Sequence, residues 1–167
     1  NAKTNYQISI KQNPNNGNAL SNLGLLMASY EQIDDAVNYH LQALKVNNNN
    51  DSYWLNLALT LKDNSPKIYT DELAKVYLSM FERKLPIDPL YIVNSAINMI
   101  KKHPIFKIKL QTLNIDDPEL EFTICEGLNK LHLLLVIMKN FKISDIEIEK
   151  LLTKLRKSIL LNRDYFN

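Results

Sequence analysis

Apolar residues recur every three or four positions over most of the chain, which is the spacing of amphipathic helices. Two such segments, over residues 18–30 and 34–46, are joined by a short polar turn and predict a helical hairpin. Leu20 and Leu23 belong to the apolar stripe of the first helix, and Gly24 lies beside them. Because glycine weakens a helix, its presence here predicts that a neighbouring helix approaches closely.

This pattern returns with a period of 34 residues. Leu20 and Gly24 correspond to Trp54 and Ala58, each 34 positions further on, and asparagine-rich turns recur at the same interval. Such a period is typical of helical hairpins that bury their apolar faces by stacking on one another. The sequence therefore predicts stacked helical hairpins over residues 1–88.

Beyond these hairpins the period is lost, although helical patterning continues. The apolar segment at residues 131–138 predicts a central buried helix, with His132 buried and hydrogen-bonded within it. Ser144 and Glu147 have the spacing of a capping box, which opens a long amphipathic helix. We expect residues 89–167 to form a helical bundle that caps the hairpins, because the last unit of an array cannot bury its outer face alone.

The hairpin at residues 17–50 resembles the tetratricopeptide repeat family, and the resemblance extends over roughly residues 1–88. It departs from the family at Asn48, where proline is usual, and at Leu20, where tryptophan is preferred. The resemblance implies an all-α fold, an α-solenoid of hairpins in a right-handed superhelix, acting as a protein- or peptide-binding scaffold. The residues that carry it are Leu23, Gly24, Ala36, Ala43 and Trp54.

In that family the first helix of each repeat lines a concave groove, so the resemblance implies a peptide-binding groove here. Asn22 and Asn56 occupy equivalent positions in successive repeats, and an amide side chain can bond a peptide backbone of any sequence. The alternative is that both asparagines only brace adjacent helices. The family's charged clamp for a peptide carboxylate is mostly missing, because Ser21 and Leu55 stand where lysine would help. The predicted groove comprises Asn22, Asn56, Ser21, Leu25, Ser29, Leu55, Leu59 and Lys62.

A second resemblance concerns the C-terminal half. Residues 117–121 and 146–161 look like the segment that joins tetratricopeptide repeats to a catalytic domain in bacterial methyltransferases and in sugar or sulfate transferases. The alternative function is therefore the substrate-docking region of a larger transferase, with its catalytic domain beyond Asn167. The chain also starts inside an expected second helix, so we interpret it as a fragment, and the reading frame past Asn167 distinguishes the two functions.

Composition argues against several other classes of function. The formal net charge of +2 is too small to indicate nucleic-acid binding, and the 3 glycines are too few and too scattered for a phosphate-binding loop. The one cysteine, Cys125, rules out an internal disulfide and is compatible with a reducing, cytoplasmic location. Neither a signal peptide nor an apolar run of about 18 residues is present, so no membrane association is expected.

The histidines and the cysteine, residue types that are often catalytic or metal-binding in other proteins, are interpreted here as structural. His40 falls on a packing position, His103 precedes a proline at a helix end, and Cys125 is a small buried apolar residue. No histidine or cysteine pair has zinc-ligand spacing, so we predict no metal, no cofactor and no catalysis. The basic segment at residues 101–109 suits an acidic partner such as a nucleic acid, but a solvated surface is the favoured interpretation. The expected partner is a protein or peptide, and the sequence leaves the oligomeric state open.

Overall fold

The structure, a computed structural model, describes residues 1–83, 85–104, 106 and 131–161, with residues 154–161 described by their backbone. Every regular element within these ranges is an α-helix and none is a strand, which confirms the predicted all-α fold class. The helices are α1 (Ala2–Gln12), α2 (Gly17–Ser29), α3 (Ile33–Val46), α4 (Asp51–Lys62), α5 (Asp71–Glu82), α6 (Pro89–Ile100), α7 (His132–Asn140) and α8 (Ile146–Leu161).

The asparagine-rich turns both end one helix and begin the next. The side-chain oxygen of Asn16 accepts a hydrogen bond from the Ala19 amide at 3.1 Å and caps α2. Asn50 caps α4 in the same way, and such caps satisfy the amides that the first helical turn leaves unpaired. At α8 the cap is Asp145, so the predicted capping role of Ser144 is wrong.

The helices pack in two rows. The first row contains α2, α4 and α6, each in contact with the next. The second row contains α3, which contacts α2 and α4, and α5, which contacts α6. The Tyr53 hydroxyl donates to Asn18 Oδ1 at 2.9 Å, and Asn56 Nδ2 donates to Ser21 Oγ at 3.0 Å. Both pairs join residues 35 positions apart, so α4 lies parallel to α2 and one repeat further along.

A single imidazole joins three of these helices. His40 on α3 is fully buried, and its Nε2 lies 3.0 Å from Thr60 Oγ1 on α4. The ring also lies against Gly24 on α2, where an added Cβ would be only 2.7 Å from His40 Cε1. This contact confirms both the predicted close approach at Gly24 and the predicted packing role of His40.

The end of α5 is tied back to the start of α4. The Arg83 guanidinium lies over the Trp54 ring, 4.6 Å from its centroid, and donates to Asp51 Oδ1 at 3.0 Å. Arg83 Nη2 and Trp54 Nε1 both donate to the carbonyl of Asn48, at 2.8 and 2.6 Å. The turn between α3 and α4 is therefore held by polar contacts from α5 and α4 together.

The C-terminal helices continue the same core. Tyr77 on α5 and Ser95 on α6 lie 2.7 Å apart through their hydroxyl oxygens, and α7 contacts both helices. Lys101 at the end of α6 bonds Asp145 at 2.9 Å and Glu147 at 2.7 Å, which fixes the start of α8. The buried cluster thus extends from α2 into α8.

α7 is amphipathic rather than buried on all sides. Leu133, Leu134 and Ile137 are buried, whereas Leu135 and His132 are exposed. The expectation of a buried, hydrogen-bonded His132 is therefore wrong, because the helix begins at that residue and its apolar stripe faces away from it.

Several expectations fall outside the described residues. These are the transferase-like segment at residues 117–121, Cys125, and the basic segment beyond Phe106.

Gly24→Leu should destabilise the fold. The new side chain would collide with the buried His40 ring, and overpacking of this kind costs about 1–3 kcal/mol. The measurement is chemical denaturation of the variant beside Asn22→Leu, which adds the same side chain to the exposed side of the same helix. Equal midpoints for the two variants would contradict the close approach of α2 and α3.

The buried imidazole predicts a loss of stability in acid. Burial lowers the pKa of His40 from 6.5 to about 4, so below pH 6.5 the unfolded chain takes up a proton that the folded chain does not. The His40 contribution to stability is complete above pH 6.5 and falls as the pH drops from 6.5 to 4. At pH 5 the loss is about 2 kcal/mol on the scale of 1.36 kcal/mol per pKa unit.

The measurement is the free energy of unfolding at several pH values for the parent and for His40→Gln. The variant cannot titrate at this position, and both proteins keep the other two histidines, so the difference between the curves isolates His40. Parallel curves between pH 4 and 6.5 would contradict a buried neutral imidazole.

Candidate functional site

The row formed by α2, α4 and α6 carries an exposed stripe on its outer side. On each helix the buried residues alternate with exposed positions at helical spacing, such as Asn22, Leu25 and Ser29 on α2. We call this surface the first-helix face and define it by Asn22, Leu25, Asn56, Leu59 and Lys62, with Tyr91 of α6 beside Lys62. It is notable for its apolar members, since Leu25 is 36% exposed, Leu59 47% and Tyr91 44%.

The predicted groove residues divide between exposed and buried positions. Asn22, Leu25, Ser29 and Leu59 are exposed, and Leu55, Asn56 and Lys62 are half-buried. Ser21 is only 1% exposed, so its side chain belongs to the α2–α4 interface rather than to a ligand-accessible surface. Seven of the eight predicted residues are therefore exposed or half-buried, and Ser21 alone is buried.

The two asparagines have different environments. Asn56 donates to the buried hydroxyl of Ser21, so it braces α2 against α4, as the alternative interpretation expected. Its Oδ1 and its second amide hydrogen take no part in that bond. Asn22 is exposed and its side chain has no hydrogen-bond partner among the described residues.

Tyr91 and Leu90 on α6 were not predicted for this surface. The Lys62 ammonium lies over the Tyr91 ring, 4.6 Å from its centroid, so the end of α4 meets the start of α6. The position of Tyr91 depends on how α6 packs against α4, which no local sequence pattern specifies.

The first-helix face carries almost no charge. α2 and α6 contain no charged residue, and α4 contains only Asp51 and Lys62, at its two ends. Asp51 is paired with Arg83, which leaves Lys62 as the cation of this surface. The second row differs, because Lys45 on α3 and Glu72 on α5 form an exposed ion pair at 2.8 Å.

A cleft lies between α3 and α5. It has a volume of about 540 Å³ and its lining includes Leu41, Val46, Trp54 and Val76. Lys45 and Glu72 meet across it, so an ion pair already spans this cleft. Val46 is 39% exposed, similar to Leu25.

The titratable residues within the described ranges form no reactive group. His40 is sequestered in the core, and His103 packs edge-on against Tyr69, where partial burial lowers its pKa. Within the same ranges no three histidine, cysteine, aspartate or glutamate side chains are grouped so as to hold a metal ion. None of the described helices is both long enough and apolar enough to cross a membrane.

Comparison with protein-family models, with curated proteins and with solved structures finds no match to this chain.

Asn56→Ala should cost stability, whereas Asn22→Ala should not. Removal of the Asn56 amide leaves the buried Ser21 hydroxyl unpaired, which costs about 1–3 kcal/mol. Asn22 is exposed and makes no such bond, so its truncation should change stability by less than about 0.5 kcal/mol. Thermal and chemical denaturation of both variants provides the test, and equal stabilities would remove the bracing role of Asn56.

Proposed function

We propose that this chain is a non-catalytic protein- or peptide-binding scaffold of the tetratricopeptide type, which holds its ligand on the first-helix face. The observation that carries the proposal is the pair of exposed leucines at equivalent positions on two adjacent parallel helices, Leu25 on α2 and Leu59 on α4. An exposed apolar patch rimmed by polar groups is typical of an interaction site.

The stacking of the helices supports this proposal. The parallel placement of α2 and α4 one repeat apart is the relation expected between the first helices of successive repeats. The close α2–α3 hairpin at Gly24 and His40 is likewise expected of that family's packing. We propose that residues 1–88 form these repeats and that residues 89–167, through α7 and α8, cap them.

The amide of Asn22 supplies the polar part of the proposed site. It is exposed, it lies one helical turn from Leu25, and both its donor and its acceptor groups are available. A peptide seated on Leu25 and Leu59 would therefore find a neutral hydrogen-bonding partner beside its main chain. No described residue favours the transferase alternative over a scaffold.

Leu25→Asp combined with Leu59→Asp should abolish ligand binding without unfolding the chain. Both side chains are exposed, so the substitutions place charge in the apolar part of the face without entering the core. Loss of two buried apolar side chains at an interface costs about 2–4 kcal/mol, which weakens binding by about 30- to 1,000-fold. The measurement is capture of ligands from a lysate of the source cell by immobilised chain.

Val46→Asp is the matched control, because Val46 has similar exposure and lines the cleft between α3 and α5. A ligand of the first-helix face should be retained by the parent and by Val46→Asp and lost by the double variant. Loss of the ligand with Val46→Asp alone would place the binding site in the cleft between α3 and α5. Equal recovery of every ligand by all three proteins would contradict the proposal.

A further inference from the structure

The buried imidazole of His40 joins α2, α3 and α4. We propose that this junction is an acid-sensitive switch, in which protonation of His40 separates the unit α1–α3 from α4. Because the first-helix face consists of residues on α2 and α4 side by side, the separation disrupts that face. The separation follows from the packing around His40, whereas its effect on a ligand rests on the proposed function.

His40 lies where two clusters of buried apolar residues meet. The smaller cluster belongs to α2 and α3, and the larger cluster extends through α4 to α8. On one side the ring contacts Gly24, which is next to Leu23 of the smaller cluster. On the other side it contacts Thr60, which is next to Leu61 of the larger cluster. Proteins open sub-globally in contiguous units, and α1–α3 is such a unit.

Apolar contacts hold this unit closed while His40 is neutral. The larger cluster also includes residues of α2 and α3, namely Leu20, Val37, Ala43 and Leu44. Separation from α4 exposes part of their surface to water, which opposes opening. The switch therefore requires a second cost, present only in acid, that acts on the closed form.

The polar contacts between α1–α3 and the rest of the chain are neutral or exposed. The neutral pairs from α4 are Thr60 with His40, Asn56 with Ser21, and Tyr53 with Asn18. The ion pairs within the described residues are Lys45 with Glu72 and Lys67 with Asp34, and all four side chains are substantially exposed. Exposed ion pairs contribute little to stability, so they offer little resistance to separation.

Protonation of His40 supplies the cost that acts on the closed form. A neutral imidazole donates from one ring nitrogen and accepts at the other, whereas a protonated ring donates from both. Nε2 has Thr60 Oγ1 as its partner, but Nδ1 is buried without a partner among the described residues. The closed form would therefore hold a buried cation with an unpaired N–H group. Separation from α4 exposes the edge of the ring that faces Thr60 to water, which relieves this cost.

The three helices around the ring offer no counter-charge. Their other titratable residues are Asp34, Asp35, Tyr39 and Lys45 on α3 and Asp51, Tyr53 and Lys62 on α4, and α2 contributes none. A carboxylate facing the ring would raise the pKa of His40. Burial instead lowers this pKa to about 4, and no carboxylate offsets the effect.

The experiment is hydrogen–deuterium exchange of the full chain at about pH 7 and pH 5, corrected for the intrinsic exchange rate at each pH. The opened form binds a proton with the ordinary pKa of 6.5 and the closed form with a pKa of about 4, so opening should become about 20-fold more favourable at the lower pH. We expect protection in residues 17–46 to fall by this factor. At pH 5 it should also lie about tenfold or more below the protection of residues 71–100.

Two variants assign the response to His40. His40→Gln cannot titrate at this position, so the fall in residues 17–46 should be absent. His132→Gln makes the same change at an exposed histidine and should respond as the parent does. An equal fall in His40→Gln would assign the acid response to other groups and overturn the switch.

The comparison between segments needs no variant. Equal protection of residues 17–46 and 71–100 in the parent at pH 5 would show that the chain unfolds as one unit, which would overturn the switch. This comparison uses the parent alone, so it decides the question even if His40→Gln fails to fold.

Ligand retention separates the switch from the proposed function. Ligands captured from a lysate by the immobilised parent at pH 7 should be released at pH 5, whereas His40→Gln should retain them. Capture of no ligand at pH 7 would contradict the proposed function and leave the result of the exchange experiment unaffected. Ligands that stay on the parent at pH 5, while residues 17–46 lose protection, would overturn the disruption of the first-helix face.

Discussion

The packing of this molecule depends on one buried imidazole. His40 extends from α3 across the surface of Gly24 on α2 and reaches Thr60 on α4. Because the glycine has no Cβ, the ring occupies the space that a side chain would otherwise fill, and α2 and α3 approach closely. The Nδ1 atom of the same ring is buried without a hydrogen-bond partner among the described residues, which costs free energy of folding. A nonpolar residue of similar size would fill the space but lose the link to Thr60.

The register of the first row follows from that junction. Once α3 is fixed against α2 and α4 together, Tyr53 reaches Asn18 and Asn56 reaches Ser21. Each bond uses a neutral side chain, so α2 and α4 are aligned without ion pairs. Where the chain must turn further, at residues 63–70, Lys102 holds the segment through Ser65 Oγ at 3.3 Å and the Pro66 carbonyl. This α4–α5 connection is longer than the α2–α3 turn at residues 30–32. Beyond it, Tyr91 near the start of α6 lies beside Lys62 at the end of α4.

Local sequence patterns predicted the helices, whereas the contacts at the candidate site depend on how distant helices align with one another. The periodicity of apolar residues placed α2 and α3, predicted over residues 18–30 and 34–46, within about one residue, because this signal is encoded within a single helix. Gly24 could be interpreted because its cost in a helix requires a compensating contact. The bond between Asn56 and Ser21 could not be predicted, since it depends on which turn of α4 faces which turn of α2. The exposure of His132 depends on where α7 begins and on its rotation toward α5 and α6, neither of which an apolar run specifies.

The division of charge between the two rows links stability to the proposed binding surface. Ion pairs such as Lys45 with Glu72 lie on α3 and α5, where exposed charges keep the surface hydrated. The first row is aligned by amides and hydroxyls, so its outer side is left without charge. Asn56 takes part in both properties, because its amide group braces the stack through Ser21 while its Oδ1 takes no part in that bond. A ligand that bonded this oxygen would meet a side chain already held in place, and less conformational entropy would be lost on binding. On the proposed function, the contact that aligns the helices would thereby also pre-organise the binding surface.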